Sequence, residues 1–166
     1  MVIVGDTAED AQVKRLKLDS LVHYSSGIAS LSVALGTDAS GFNPDEALPA
    51  ELPETNASKT GRASVLKLAE DEKLTVRQLA QRYGGYAGLA FVGTPEKIAD
   101  DMGTWLAEGA CDGFTITFPY LPQGLEDVTR RLVPELQRRG IFRSDYEGTT
   151  LREHLGLPRP KNQFYP

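Results

Sequence analysis

The clearest pattern of apolar and polar positions along this chain lies within residues 88–140. Residues 89–92 are a short apolar run of the kind that forms a buried strand. Thr94 and Pro95 follow. They fit a helix start, because threonine caps free backbone amides and proline has no N–H to leave unbonded. Apolar residues then recur at helical spacing, which predicts a helix over residues 94–108.

A second strand–helix unit follows directly. Residues 113–118 alternate β-branched threonines with apolar side chains, as a strand does. Apolar positions then recur at helical spacing through residues 125–139, and Pro134 inside this run should kink or restart the helix. Strands that alternate with helices across short loops pair in parallel. The pattern therefore predicts an α/β fold with right-handed crossovers.

The chain begins with the same kind of unit and then departs from it. Residues 1–4 predict a strand, and a helical pattern extends from there to about Val22. Residues 23–88 instead predict short helices and an irregular proline-containing segment, with a reciprocal capping box at Thr75 and Gln78. The helices predicted in this stretch cover residues 28–35, 60–71 and 75–83. Such a long interruption is unusual between neighbouring elements, and insertions of this kind often form lids or binding walls.

The number of predicted strands leaves the architecture open. Three strands are expected, at residues 1–4, 89–92 and 113–118. A closed parallel barrel needs eight strands, and three strands leave sheet edges with unpaired backbone groups. Two interpretations follow from the pattern alone: a small α/β domain with three strands, or the later part of a larger fold.

Composition narrows the class of protein. The 166 residues carry a net charge of −5, which disfavours binding to nucleic acid or to an anionic membrane. The apolar runs are too short to span a bilayer, and the first residues lack the features of a signal peptide. The single cysteine, Cys111, cannot form an intrachain disulfide, so a cytoplasmic protein is expected. His23 and His154 have no second ligand at metal-binding spacing, so no metal is expected.

Several stretches of the chain together resemble one family of enzymes. The most specific are residues 133–140 (VPELQRRG) and 147–157 (EGTTLREHLGL). The others are residues 4–11 (VGDTAEDA), 40–42 (SGF) with 48–49 (LP), 54–59 (ETNASK), 92–96 (VGTPE), 112–114 (DGF) and 119–122 (PYLP). In these motifs the chain resembles the C-terminal portion of the bacterial-luciferase-like FMN-dependent monooxygenases. Within that family it looks most like the branch of the nitrilotriacetate, dibenzothiophene-sulfone and pristinamycin IIA synthase enzymes.

The resemblance implies a fold class, the C-terminal part of a (β/α)8 TIM barrel. A long helical insertion would lie between the seventh strand and its barrel helix. Residues 1–22 would be the seventh strand and the start of the following helical segment, and residues 23–88 the insertion, acting as a lid. Residues 89–140 would be the βαβα end of the barrel, with the eighth strand at residues 113–118. Residues 141–166 would be a C-terminal tail packed on the barrel, in one incomplete domain.

The resemblance also implies a function. Members of the family receive reduced FMN from a separate flavin reductase and use it with O2 to oxygenate a small organic substrate. A lid that excludes water suits such chemistry. The main flavin contacts of the family come from earlier strands, so no catalytic or cofactor-binding residue is carried over to this chain.

The chain alone is therefore expected to be inactive. It would act as a homo-oligomer or with a missing N-terminal half of the barrel. The alternative is a non-catalytic remnant, or a half-barrel that associates with another chain but has no activity of its own.

Substrate-pocket candidates follow from the implied barrel. Phe118 and Tyr120 lie where the last predicted strand ends, and barrel enzymes place their active sites at that end. Packing in the core is an equal alternative for Phe118. The remaining candidates belong to the insertion, where turn and cap roles are commoner for the polar ones: Asn56, Ser58, Arg62, Tyr83 and Tyr86.

Overall fold

The structure, a computed structural model, describes residues 1–85 and 88–164. Its elements are the strands β1 (Val2–Val4) and β2 (Phe91–Gly93) and the helices α1 (Ala8–Ser20), α2 (Tyr24–Leu35), α3 (Lys59–Glu72), α4 (Val76–Gly84), α5 (Pro95–Ala107), α6 (Gln123–Asp127), α7 (Val133–Arg138) and α8 (Leu151–His154). A π-helical turn, Val128–Leu132, joins α6 to α7. No helix among the residues described is long and apolar enough to cross a bilayer.

The helices begin where their capping residues predict. The Thr94 hydroxyl accepts a hydrogen bond from the Lys97 amide at 3.4 Å, and Pro95 is the first residue of α5. Thr75 and Gln78 form the expected reciprocal capping box on α4. These starts depend only on neighbouring residues, so local sequence is enough to place them.

The predicted helix over residues 125–139 is present but interrupted. The amide of Val133 donates to the carbonyl of Val128, five residues earlier, which is the spacing of a π turn. Pro134 has no amide hydrogen to donate, and α7 restarts beside it. The expectation that Pro134 would kink or restart this helix is confirmed.

Strands β1 and β2 pair in parallel, which confirms two of the predicted strands. Val2 lies opposite Phe91, and Val4 lies opposite Gly93. The Phe91 amide donates to the Met1 carbonyl at 3.0 Å, and the Gly5 amide donates to the Gly93 carbonyl at 2.9 Å. The Met1 carbonyl and the Gly5 amide therefore point towards β2, whereas the Val2 amide points towards the opposite edge of β1.

The prediction of a third strand at residues 113–118 is wrong. This segment runs without regular structure, and the Val2 amide donates one long hydrogen bond of 3.4 Å to the Thr117 carbonyl. Phe114, Ile116 and Phe118 pack against buried apolar residues of the sheet and helices. Alternating side chains thus anchor the segment beside β1, but its backbone does not form a ladder.

The structure does not confirm the predicted position of the insertion between a strand and its own helix. Helix α1 follows β1 directly and packs on both strands, so the first strand and its helix are already complete before residue 23. Residues 23–88 then lead into β2, which is the direct neighbour of β1. In the structure the long segment joins two adjacent strand–helix units and does not separate a strand from its own helix. The numbering of these strands within a barrel stays a prediction.

The described residues build two separate hydrophobic cores. The first core joins the strands to α5 and to the helical run around the π turn, and consists of Val2, Val4, Phe91, Ile98, Ala99, Met102, Val128, Leu132 and Leu136. The second core lies between α2, α3 and α4 and consists of Ile28, Leu31, Leu35, Ala39, Val65, Val76, Leu79 and Ala80. The segment of residues 23–88 therefore has a core of its own.

Helices α2 and α4 cross at two glycines. A Cβ atom on Gly27 would lie 2.3 Å from the carbonyl oxygen of Ala80, and one on Gly84 would lie 2.4 Å from the Cα of Gly27. No side chain fits at such distances, so the close crossing requires glycine at both positions.

A chain of ion pairs connects α1 to the second core. The Arg15 guanidinium is buried, with 5% of the residue exposed, and its Nε donates to both carboxylate oxygens of Asp19 at 3.0 Å. Arg82 of α4 lies 3.5 Å from the same carboxylate and 3.0 Å from Glu72 of α3. Three helices thus meet at alternating charges, which balances the charge buried with Arg15.

Candidate functional site

Polar side chains gather where β1 ends, and we call this group the strand-end cluster. Its members come from the loop after β1, from α1, from the turn after residue 118, and from α6 and the π turn: Asp6, Asp10, Lys14, Tyr120, Asp127 and Arg131. In parallel α/β folds the carboxyl ends of the strands carry the binding and catalytic groups.

Lys14 ties the start of α1 to the end of β1. Its Nζ donates to the Val4 carbonyl at 2.9 Å and lies 2.9 Å from the Asp10 Oδ2 atom. The same Asp10 oxygen accepts a hydrogen bond from the Asp6 amide at 2.9 Å. The bond from the Asp6 backbone, together with Lys14, lowers the pKa of Asp10, so this carboxylate stays ionised at neutral pH.

Arg131 closes the cluster from the π turn. Its Nη2 donates to the Gly5 carbonyl at 2.9 Å and to the Asp6 carboxylate at 2.8 Å. Its Nη1 lies 3.5 Å from Asp127 Oδ1. A single guanidinium therefore fixes the strand end to the helix that follows the last turn.

Asp127 is the most buried acid of the cluster, with 6% of the residue exposed. Its Oδ1 accepts a hydrogen bond of 3.3 Å from Gln123 besides the long contact to Arg131. Its Oδ2 is buried and has no hydrogen-bond partner within the described part of the chain. An unsatisfied buried oxygen is costly, so this atom is a place where a donor group is expected.

Tyr120 is a neighbour of the Asp127 carboxylate. The residue is half-buried, and its ring covers the start of α6 at Gly124, where an added Cβ would lie 3.6 Å from the ring. Burial raises the pKa of the Tyr120 hydroxyl, and the neighbouring Asp127 carboxylate raises it further, while Lys14 opposes them. The hydroxyl therefore keeps its proton at neutral pH and is available as a hydrogen-bonding group.

The cluster does not fit the phosphate of FMN. Its two cations, Lys14 and Arg131, each bind a carboxylate and a backbone carbonyl. Three carboxylates, on Asp6, Asp10 and Asp127, outnumber them. A phosphate needs free cations or amides. The groups left for a ligand are the Tyr120 hydroxyl and the free oxygen of Asp127, which suit a neutral or hydrogen-donating group.

Two of the insertion candidates near α3, Ser58 and Arg62, make local contacts. The Ser58 hydroxyl caps α3 by accepting a hydrogen bond from the Gly61 amide at 3.1 Å. Arg62 donates to the Pro53 carbonyl at 2.6 Å and lines a shallow surface cleft of about 230 Å³. Asn56 is exposed. These contacts stay within residues 53–62, so the structure does not bring these candidates to the strand-end cluster.

The aromatic candidates divide among three places. Tyr83 is half-buried against the second core, and burial raises its pKa. Phe118 packs on the first core, in keeping with the alternative of core packing. Tyr86 lies outside the described residues. Tyr120 alone among the described candidates belongs to the strand-end cluster.

The sequence contains a signal for the members of the cluster that were not predicted. Asp10 and Lys14 are four residues apart on α1, as are Asp127 and Arg131 after Tyr120, and both pairs follow a segment that leads to the same end of the fold. Such pairs are commonly solvent-exposed, so spacing alone does not separate these from surface pairs. Among the described residues, no group of histidine, cysteine and acidic side chains is arranged to hold a metal.

The curated relatives of this chain described here are monooxygenases and a synthase polypeptide. Nitrilotriacetate monooxygenase component A of Aminobacter aminovorans is 47% identical over 98% of this chain and 36% of its own length. N-acetyl-S-(2-succino)cysteine monooxygenase of Bacillus subtilis is 44% identical over 98% of this chain and 37% of its own length. A pristinamycin IIA synthase polypeptide of Streptomyces pristinaespiralis is 41% identical over 96% of this chain and 37% of its own length. A dibenzothiophene-sulfone monooxygenase of Rhodococcus erythropolis is 34% identical over the whole of this chain and 38% of its own.

Solved structures agree with these relatives. DmoA of Hyphomicrobium sulfonivorans superposes with a TM-score of 0.74 at 30% identity, over 93% of this chain and 32% of its own. A riboflavin lyase solved with modified FMN and riboflavin superposes with a TM-score of 0.61 at 32% identity, over 93% of this chain and 33% of its own. No family model matches the chain.

The homologues of this chain are luciferase-like monooxygenases with a TIM-barrel fold, and the resemblance found in the motifs is confirmed. The chain spans 36–38% of the length of the four curated relatives described above.

Proposed function

We propose that this chain forms part of an FMN-dependent monooxygenase that oxygenates a small organic substrate. The observation that carries the proposal is the 47% identity to a monooxygenase component over 98% of the chain. The strand-end cluster supports it, because its polar groups lie at the end of the sheet where barrel enzymes bind substrates. Bound FMN would supply the oxygen chemistry, and reduced FMN would come from a separate flavin reductase.

The residues of this chain would contribute a wall of the substrate pocket. Tyr120 offers a protonated hydroxyl at the strand end, and Lys14 and Arg131 hold the surrounding backbone in place. Because both cations of the strand-end cluster are already paired, the phosphate of FMN would be bound outside this cluster. No catalytic residue is assigned within this chain.

The second core would form the cover of the pocket. We assign residues 23–88 to a lid, residues 89–140 to the end of the barrel, and residues 141–166 to a tail that packs on it. In support, the lid segment has its own core and connects to the strands through α1. A cover that is rigid in itself can exclude water from the pocket without disturbing the sheet.

We infer from the exposed apolar side chains that this chain must associate with another polypeptide to be active. Val13, Leu16 and Leu21 of the α1 region are 64%, 59% and 68% exposed. Grouped apolar exposure commonly marks an interface. The occupant would be the N-terminal part of a barrel or a second copy. In the alternative function, a non-catalytic half-barrel, this association would be the whole role of the chain.

A chimera tests the proposal. The segment of nitrilotriacetate monooxygenase component A that aligns with this chain is replaced by residues 1–166. FMN binding is then followed by flavin fluorescence, and oxygenated product by chromatography in the presence of a flavin reductase. The substrates are nitrilotriacetate and a panel of thioethers and sulfones. The expected result is a chimera that binds FMN and oxygenates at least one compound.

Two controls accompany the chimera. The relative with the segment deleted should be inactive, and this chain by itself should neither bind FMN nor form product. A chimera that has native circular dichroism and size but no affinity for FMN would contradict the monooxygenase proposal and favour the non-catalytic alternative.

A further inference from the structure

The Asp127 carboxylate is buried and incompletely hydrogen-bonded. Asp127 is 6% exposed, and its Oδ2 has no hydrogen-bond partner in the described part of the chain. Its Oδ1 lies 3.3 Å from Gln123 Nε2 and 3.5 Å from Arg131 Nη1. Buried carboxylates normally have most of their hydrogen-bonding capacity filled. This one therefore needs a further donor.

Tyr120 supplies the only uncharged hydroxyl in the strand-end cluster. Its ring lies against Gly124, one turn before Asp127 on α6, and the Asp127 carboxylate is near enough to act on the Tyr120 hydroxyl. The charged groups that face the hydroxyl are Asp127 of α6 and Lys14 and Asp10 of α1. Both charges of α1 are bonded to each other, whereas Asp127 has an oxygen to spare.

We propose that Asp127 is a positioning residue for Tyr120: the Tyr120 hydroxyl turns to donate a hydrogen bond to the Oδ2 atom of Asp127, which has no partner among the residues that the structure describes. With its proton directed to Asp127, the Tyr120 oxygen presents lone pairs to the pocket and accepts a hydrogen bond from an N–H or O–H group of the substrate. This second step rests on the proposed function. The contact between the two side chains does not, and it can be tested in the isolated chain.

The first experiment measures the titration of Tyr120. The chain is labelled with ¹³C at the ζ carbon of tyrosine, and the Tyr120 resonance is assigned by its loss in Tyr120→Phe. In Asp127→Asn the pKa of Tyr120 should fall, because the carboxylate that favours the protonated hydroxyl is gone. The matched control is Glu126→Gln, which removes a half-exposed acid next to Asp127 whose nearest cation is Arg130 at 3.9 Å. The control should leave the titration unchanged.

The second experiment guards against a variant that simply unfolds. Free energies of unfolding are measured for Tyr120→Phe, for Asp127→Asn and for the double variant. A hydrogen bond between the two side chains makes the effects non-additive, because the second change removes a bond already lost. Additive effects, or an unchanged Tyr120 titration in a folded Asp127→Asn variant, would overturn the proposed contact.

The substrate step is tested in the chimera. Tyr120→Phe and Asp127→Asn should each raise KM by about fivefold, the factor for one hydrogen bond of about 1 kcal/mol, and the double variant should raise it no further. If the titration shifts as expected but KM does not change, the contact stands and the substrate does not bind Tyr120. If the chimera is inactive throughout, the proposed function fails and the contact is judged on titration and stability alone.

Discussion

Replacing Gly27 with alanine tests how the second core is built. The new Cβ would lie 2.3 Å from the carbonyl oxygen of Ala80, a distance that real Cβ atoms essentially never show. The obstacle is backbone, so α2 and α4 must move apart by roughly 0.7 Å or more, and a gap of about 0.5–1 Å removes a quarter to a half of the dispersion attraction. Leu31 and Leu79, which are fully buried on these two helices, would lose contacts.

The magnitude follows from two opposing effects. Overpacking costs about 1–3 kcal/mol, and the rigid backbone at Gly27 places this site near the upper value. Alanine offsets about 1 kcal/mol of this, because it favours a helix more than glycine does. The net expectation is a loss of about 2 kcal/mol of unfolding free energy, or roughly 4–8 °C in Tm for a chain of this length.

A matched substitution separates packing from helix propensity. Gly103 lies inside α5, and a Cβ there would meet the Ile141 side chain at 3.7 Å, an ordinary contact. Gly103→Ala should therefore stabilise the chain by up to about 1 kcal/mol. Both variants are compared in urea unfolding followed by far-UV circular dichroism. If Gly27→Ala proves as stable as Gly103→Ala, the close crossing of α2 and α4 is refuted.

Three further predictions concern charge, capping and local opening. The Glu135 carboxylate has its pKa lowered to about 2 by hydrogen bonds from Arg138 and Arg139. Its contribution to stability is therefore complete above pH 4.5, its unfolded value, and is lost as the pH falls towards 2. Urea titrations between pH 2 and 5 should show a shallower loss for Glu135→Gln, and an equal slope would contradict the ion pairs. Thr75→Ala removes half of the α4 capping box and should cost about 1 kcal/mol, whereas Thr75→Ser should restore most of it. Amide hydrogen exchange should be fastest within residues 36–59, where three prolines interrupt regular structure, and uniform protection of this segment and the strands would count against a mobile lid.

Features that depend on nearby residues could be predicted from the sequence, and features that depend on distant ones could not. The cap at Thr94 and the restart at Pro134 involve only neighbours within one helical turn. Residues 113–118 alternate apolar and polar side chains as a strand does. This pattern specifies which side chains face the core, but it does not specify whether the backbone pairs with the edge of a neighbouring strand.

The candidate site shows the same division. Tyr120 could be placed at the end of the fold because it follows the last extended segment. Its surroundings could not, since the bond from Arg131 to the Gly5 carbonyl joins residues 126 positions apart. The spacing of Asp127 and Arg131 is visible in the sequence, but the oxygen of Asp127 that is unpartnered within the described residues is not, because burial in the folded chain creates it.

The existence of two cores has a consequence for diversification. Substitutions in sites that share no contacts change stability independently of one another. If residues 23–88 form the proposed lid, substitutions in α2, α3 and α4 would change the pocket wall while the strands and α5 keep their own core. Among the relatives, enzymes named for a chelator, a succinylated cysteine and a sulfone all match this chain over most of its length. On the proposed function, exchange of residues 23–88 between such relatives would alter substrate specificity. A grafted segment of residues 23–88 would have to keep the glycines at the α2–α4 crossing and the residues that form ion pairs with α1.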